Sequence, residues 1–290
     1  MSKKHIDEVS GIETTSHVWD DDIRELNNPL PRWWLWTFYA CILWAFGFWY
    51  FYPAWPTMTG YTKGSLNYSE RANVAAAVSA ARTGQDAFRK QLEASPLGEV
   101  RKNPELLRFA TAAGSASFQT NCAPCHGRGA QGAISYPNLN DDDWLWGGTV
   151  EDIEKTIMYG IRSDHKDTRV SQMPRFGVDK ILKPDEIDAS VEYVSSLTKP
   201  GGDAAKVAKG KTIFAEQCVS CHGPDGKGLP EMGAPNLTDA ISLYGNDAKS
   251  IRTTIENGRG GMMPAWADRL DKTTVKSLAV YIHSLGGGKQ

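Results

Sequence analysis

Long stretches of alternating apolar and polar residues are almost absent from this 290-residue chain, which excludes a sheet-built architecture. Charge of one sign is not in excess either. Its 32 Lys and Arg face 34 Asp and Glu, a formal net charge of −2, and 41% of the residues are hydrophobic. That balance excludes a disordered chain and a nucleic-acid-binding one. Cysteine is scarce, five residues in all, and four of them stand in two tight pairs, so a scattered disulfide framework is excluded. Long apolar runs are missing with one exception, and that run contains none of the six histidines.

The exception is Trp33 to Tyr52, twenty residues without a charge. As a helix rising about 1.5 Å per residue it reaches roughly 30 Å, the thickness of a bilayer's hydrocarbon layer. Trp33, Trp34 and Trp36 at one end, with Trp49, Tyr50, Tyr52 and Trp55 at the other, suit the two membrane interfaces. The run starts too far into the chain, and is too long, for a cleaved signal core, so a permanent transmembrane helix over 33–53 is expected. Before it, residues 1–32 read as a polar, acid-rich tail with Asp20, Asp21 and Asp22, and Cys41 within the span reads as a small buried hydrophobe.

The rest of the chain contains a duplication. Residues 114–127 read GSASFQTNCAPCHG and residues 210–223 read GKTIFAEQCVSCHG: a Gly, an aromatic four later, then Cys-x-x-Cys-His-Gly. The copies stay in step at Pro137-Asn138-Leu139 and Pro235-Asn236-Leu237, at Ile153 and Ile251, at Met173-Pro174 and Met263-Pro264, and at Tyr193 and Tyr281. Each copy predicts a helix into the Cys motif (105–120, 205–217), a short helix (150–160, 247–257) and a C-terminal helix (184–197, 272–285). The layout expected is all-α: residues 54–104 as a linker with helix at 70–94, one domain over 105–198, a linker over 199–204 and a second domain over 205–290.

Cys122-Ala123-Pro124-Cys125-His126 and Cys218-Val219-Ser220-Cys221-His222 are c-type haem attachment motifs. Two thiols one helical turn apart reach the two vinyl groups of one porphyrin, and the adjoining histidine stands under the ring to coordinate iron. A single such motif arises by chance about 0.2% of the time in this composition; two in aligned repeats are specific. Zinc would require a second Cys or His pair near each motif, and beyond them stand only His165 and His283. A dithiol redox site lacks its βαβ context. Two covalent haems c are therefore expected. Met173 and Met263, each followed by Pro, lie 47 and 41 residues past the histidines as candidate sixth ligands, with Met232 and Met262 as weaker competitors. His/Met ligation raises the potential and closes the iron, which suits electron transfer over catalysis. Pro137 and Pro235 are expected to offer carbonyls to the ring N–H of His126 and His222. His165 and His283 read as surface residues, and Asp141, Asp142 and Asp143 as a solvated turn.

The run Trp19-Asp20-Asp21-Asp22-Ile23-Arg24-Glu25-Leu26-Asn27-Asn28-Pro29-Leu30-Pro31-Arg32-Trp33-Trp34, then one span, then two c-type units, resembles the CcoP (FixP) dihaem subunits of cbb3-type cytochrome c oxidases; Met232 to Asp239 resembles them too. The resemblance implies one transmembrane helix and two tandem class I cytochrome c domains, in a bacterial inner membrane with the N-terminus cytoplasmic and the haem domains periplasmic. It implies as partners a haem-copper catalytic subunit, a monohaem cytochrome c subunit and a donor cytochrome c or quinol-oxidising complex, in an oxidase that reduces oxygen and pumps protons. Spacing alone suggests that Met173 serves His126 and Met263 serves His222, whereas the resemblance leaves an exchanged pairing open. No catalytic residue is expected here, because the single span has no histidine for a haem-copper centre. A membrane-tethered dihaem carrier, a dehydrogenase cytochrome subunit and a dihaem peroxidase share the haem pattern and remain the alternatives.

Overall fold

A computed structural model describes residues 5–239 and 241–289 and divides into two units, residues 1–83 and 84–290. In the first unit, β1 (Thr14–Trp19) and β2 (Ile23–Leu26) pair antiparallel with Trp19 opposite Ile23. The acidic run forms the turn between them. Asp20 and Asp21 take φ of 48° and 69°, two successive left-handed residues whose twist matches that of paired strands. The segment expected to be a tail is therefore a hairpin, closed by Asp-Asp where Asn-Gly usually announces such a turn.

Helix α1 (Arg32–Phe51) has no buried residue and is long and apolar enough to cross a membrane. Cys41 lies exposed on it, because the whole helix presents its side chains outward. The short ladder of β3 (Pro56–Thr57) with β4 (Gly60–Tyr61) follows. Helix α2 (Glu70–Ala94) continues from the first unit into the second.

The second unit contains α3 (Leu97–Val100), α4 (Pro104–Asn121), α5 (Ala123–His126), α6 (Val150–Tyr159), α7 (Pro184–Thr198), α8 (Ala204–Gln217), α9 (Val219–His222), α10 (Ala248–Asn257) and α11 (Lys272–His283). Side-chain caps set the starts of five of these helices. Asn103 accepts from the Glu105 and Leu106 N–H groups, Asp203 from Ala205 and Lys206, Thr149 from Asp152, Asp247 from Ser250 and Asp271 from Thr274.

Packing crosses the repeat boundary. Helix α11, from the second repeat, lies on α4 and α6 of the first, while α7, from the first repeat, lies on α8 and α10 of the second. The connection between α7 and α8 explains this. Only 199–203 separate the two helices, and helices joined so closely pack as antiparallel neighbours. With α7 taken by α8, the partner left for α4 is α11. The exchanged helices make the cores: Phe118, Leu106, Ile153 and Ile157 enclose Val275, Leu278 and Ile282 in one, and Phe176, Ile187, Val191 and Ile255 form the other. Burying Leu278 or Phe118 fully contributes about 1.5–3 kcal/mol each.

The aromatic-after-glycine pattern shared by the repeats is a helix crossing. A Cβ on Gly114 would collide with the Ser277 carbonyl and approach Tyr281 Cβ to 2.6 Å; on Gly210 it would collide with the Ala189 carbonyl and approach Tyr193 Cβ to 2.7 Å. One turn on, Phe118 meets Tyr281 at 5.5 Å between ring centroids and Phe214 meets Tyr193 at 5.2 Å. Both rings packed at each crossing come from opposite repeats.

The end of α2 is fastened to the α4–α11 core. Phe88 stacks on Phe109 at 5.3 Å, Arg89 pairs with Asp271 at 3.0 Å, and Lys276 Nζ donates to the carbonyls of Leu92, Glu93 and Ser95 at 3.2, 2.8 and 2.8 Å. A lysine there satisfies the open carbonyls of a helix C-terminus and complements its dipole. Lys276→Met is expected to destabilise the unit by about 1–2 kcal/mol, read by thermal unfolding; an unchanged midpoint would show that the cap contributes nothing.

Candidate functional site

Two equivalent sites begin where α4 and α8 end. Cys122 closes α4 and opens α5, and its carbonyl accepts from the Cys125 and His126 N–H groups at 3.1 and 2.9 Å; Cys218 does the same for Cys221 and His222 at 3.1 and 2.9 Å. Each motif is thus a single helical turn presenting both thiols and the imidazole. The ring nitrogens are oriented from behind: His126 Nδ1 lies 3.0 Å from the Pro137 carbonyl and His222 Nδ1 3.0 Å from the Pro235 carbonyl. A carbonyl only accepts, so Nδ1 carries the proton and Nε2 keeps its lone pair for a metal. Burial lowers both imidazole pKa values, with the proline carbonyl acting in the opposite sense, which favours the neutral ring that a metal would require.

The cysteines fit covalent attachment better than the rival chemistries. Burial, assisted by the neighbouring thiol, pushes Cys122 and Cys218 up to about 11. Such thiols are not the low-pKa thiolates of a dithiol redox site. Among the described residues no cluster of three or more His, Cys, Asp or Glu is arranged as a structural zinc site would be.

Each Met–Pro segment is hydrogen-bonded to the opposite repeat. Met263 packs against the core that contains Cys122, with its N–H donating to the Ile161 carbonyl and its carbonyl accepting from the Ile161 N–H, both at 2.9 Å. Met173 packs against the core of α7 and α10, and its N–H donates to the Arg259 carbonyl at 2.9 Å. Spacing alone suggested pairing within each repeat, and the placement of these segments follows the exchange of α7 and α11. Met262 is 72% exposed and Met232 38% exposed, and neither packs in these cores.

Gly160 and Gly258 were not singled out from the sequence. They end α6 and α10 with φ of 68° and 67°, and a Cβ on either would strike the Met263 or Met173 carbonyl, respectively. Their positions, in step with Ile153 and Ile251 in the duplication, were the signal available.

Comparison with known proteins matches this layout. Residues 11–59 match the N-terminal domain of cytochrome oxidase-cbb3, FixP; residues 111–198 match cytochrome c; and residues 205–282 match cytochrome C oxidase, cbb3-type, subunit III. The chain is 54% identical over 288 residues to the cbb3-type cytochrome c oxidase subunit FixP of Bradyrhizobium sp. (strain ORS 278), covering 98% of each chain. It is 50% identical to the subunit CcoP of Azospirillum sp. (strain B510), covering 100% of each, and 49% identical to that of Cereibacter sphaeroides (strain ATCC 17023), covering 95% of each. The chain belongs to the CcoP/FixP family of cbb3-type cytochrome c oxidase subunits. It is accordingly a cytochrome c subunit of an oxidoreductase complex, its cytochrome c domains carry covalently bound haem c, and other oxidase subunits are its partners.

Three other residues of this CcoP/FixP chain differ from expectation. His283 is 8% exposed, with Nε2 2.7 Å from the Lys289 carbonyl, because the C-terminal residues fold back over α11. His165 is half-buried against the Tyr159 ring at 4.8 Å. Asp143 is not in a solvated turn: burial first, then the hydrogen bond to the Asp239 carboxyl, push it up to about 7. A carboxyl held above its unfolded pKa binds more protons in the fold than out of it, so stability should rise as pH falls from about 7 towards the ordinary carboxylate range. Thermal unfolding across that window is expected to show this slope, and Asp143→Asn to flatten it. Equal slopes in both proteins would refute the shared proton.

Proposed function

We propose that this chain is the dihaem electron relay of its oxidase. It would accept electrons from a periplasmic cytochrome c or a quinol-oxidising complex and pass them, through the monohaem subunit, to the haem-copper subunit, for oxygen reduction coupled to proton pumping. When bound, haem supplies a one-electron ferric–ferrous couple. Cys122 and Cys125 would hold one group by thioether bonds and Cys218 and Cys221 the other. His126 and His222 would present Nε2 to the irons, and Met263 and Met173 would supply sulfur to the His126 and His222 sites, respectively. Sites held in this way would leave no position for a substrate, so the chain would carry electrons and perform no catalysis alone.

The observation that carries this reading is the pair of Met–Pro segments, each hydrogen-bonded into the opposite repeat. Ile161 is bonded to Met263 and Arg259 to Met173, and the Arg162 side chain donates to the Gly261 and Ser171 carbonyls, one in each Met–Pro segment. A short, rigid connection of this kind suits transfer between two centres within one subunit. Helix α1 anchors the chain in the inner membrane. Because c-type haem is attached on the outer face, both sites lie in the periplasm and residues 1–32 in the cytoplasm.

Purification from native membranes in mild detergent tests the assignment. The expected partners are a haem-copper subunit and a monohaem cytochrome c subunit; recovery with a dehydrogenase, or alone, contradicts it. The ferrous chain is expected to bind no carbon monoxide, and ready binding would favour a peroxidase.

A further inference from the structure

The duplication contains one more pair that the ligand set does not use. Arg169 and Arg259 each stand four residues before the Met of their own repeat, and Trp146 and Tyr244 each stand two residues after the first residue of matching Trp144-Leu145-Trp146-Gly147 and Ser242-Leu243-Tyr244-Gly245 runs. The structure joins them. The Arg169 guanidinium lies 5.1 Å from the Trp146 ring centroid and that of Arg259 4.0 Å from the Tyr244 ring centroid. The same contact built twice, by residues distant in sequence, marks a function shared by both sites.

The backbone locates each arginine. The Arg169 carbonyl accepts from the Arg162 N–H at 2.7 Å, and Ile161, next in that strand-like segment, exchanges both hydrogen bonds with Met263. The Arg259 carbonyl accepts directly from the Met173 N–H. The backbone of each arginine therefore lies in the same hydrogen-bonded stretch as the methionine that comes from the other repeat. The donors of Arg169 are short of acceptors. Arg169 has a side chain only 14% exposed, its Nε and Nη2 are buried with no hydrogen-bond partner, and the carboxylate it pairs with, Asp152, is 3.9 Å away, too far for a hydrogen bond. Burial lowers its pKa, and Asp152 opposes that only in part. Arg259 uses Nε on Thr254 Oγ1 at 3.0 Å, which aims the remaining fork. Buried guanidinium donors without an acceptor are costly, and a carboxylate is the acceptor their planar fork matches.

We propose that Arg169 and Arg259 each bind a propionate carboxylate of the haem in their own repeat, Arg169 at the His126 site and Arg259 at the His222 site. The ring beneath each guanidinium fixes its plane, and the cation holds the propionate ionised and raises the potential of that site alone. The inference rests on the exchanged methionine pairing stated above.

Redox titration of the full-length, haem-loaded chain, with parent, Arg169→Gln and Arg169→Lys compared, tests it. The methionine–iron charge-transfer band is recorded on the same samples. Arg169→Gln is expected to keep both haems, lower the potential of the His126 site only, and make it fall with rising pH across the neutral range as the propionate gains a titration. Arg169→Lys restores most of the potential, and resonance Raman shows a shifted propionate bending mode in both variants. Potentials, pH slopes and propionate modes identical to the parent overturn the proposal, as does an equal change at both sites. Absence of the methionine band in the parent would instead defeat the ligand reading.

Discussion

In a chain left with only the first attachment motif, by Cys218→Ala and Cys221→Ala, Met263→His is expected to abolish the methionine–iron charge-transfer band. Met173→His in the same background should leave it intact. The physical basis is the connection between α7 and α8. The residues 199–203 hold α7 against α8, and the proposed pairing accordingly keeps Met173 with the second attachment motif and lets Met263 travel with α11 to the first. Exchanging thioether for imidazole keeps the iron closed, so the fold is little disturbed. The potential of the remaining site should drop by something on the order of 0.1 V or more, within the roughly 0.8 V span that axial ligands control. If Met173→His removed the band and Met263→His did not, the ligands would pair within repeats.

Gly114→Val is expected to be the most damaging single substitution outside the ligands. The obstacle to its side chain is the Ser277 backbone carbonyl together with Tyr281 Cβ, and neither can rotate away. Overpacking of this kind costs about 1–3 kcal/mol where neighbours relax; a rigid helix crossing puts the expected loss at about 3 kcal/mol or more, a large share of the stability of an ordinary domain. Chemical denaturation measures it, with haem content as a second readout. The exchange makes a sharper statement. Gly114→Ala should couple with Tyr281→Ala in a double-mutant cycle and add independently to Tyr193→Ala, because Tyr281 and not Tyr193 lies at that crossing. A Gly114 variant that is fully stable, or that couples to Tyr193, would mean the crossing is built otherwise.

Much of this was legible in the sequence because it is written in short-range spacing. The Cys-x-x-Cys-His turns, the proline carbonyls opposite His126 and His222, and the capped helices all depend on residues near one another along the chain, and their periodicity survives duplication. The uncharged run from Trp33 to Tyr52 announced α1 in the same way. What spacing could not give was which copy of a repeated element packs on which. Tyr193 and Tyr281 occupy equivalent positions and fit either crossing equally well; the choice lies in the shortness of the α7–α8 connection, a property of neither motif. The hairpin at Thr14–Leu26 was missed because its turn uses aspartates in left-handed conformations. His283 was misread because the residues just after α11 turn back over it, and Asp143 because it is covered by a distant segment, the loop around Asp239.

The number and kind of prosthetic groups decide between two covalent haems and every rival chemistry of the paired cysteines. A pyridine haemochrome spectrum on the purified, full-length polypeptide, set against its protein concentration, should give two c-type haems per chain, both retained after acid-acetone extraction. A value of one or none, extractable porphyrin, or zinc in stoichiometric amount would contradict it.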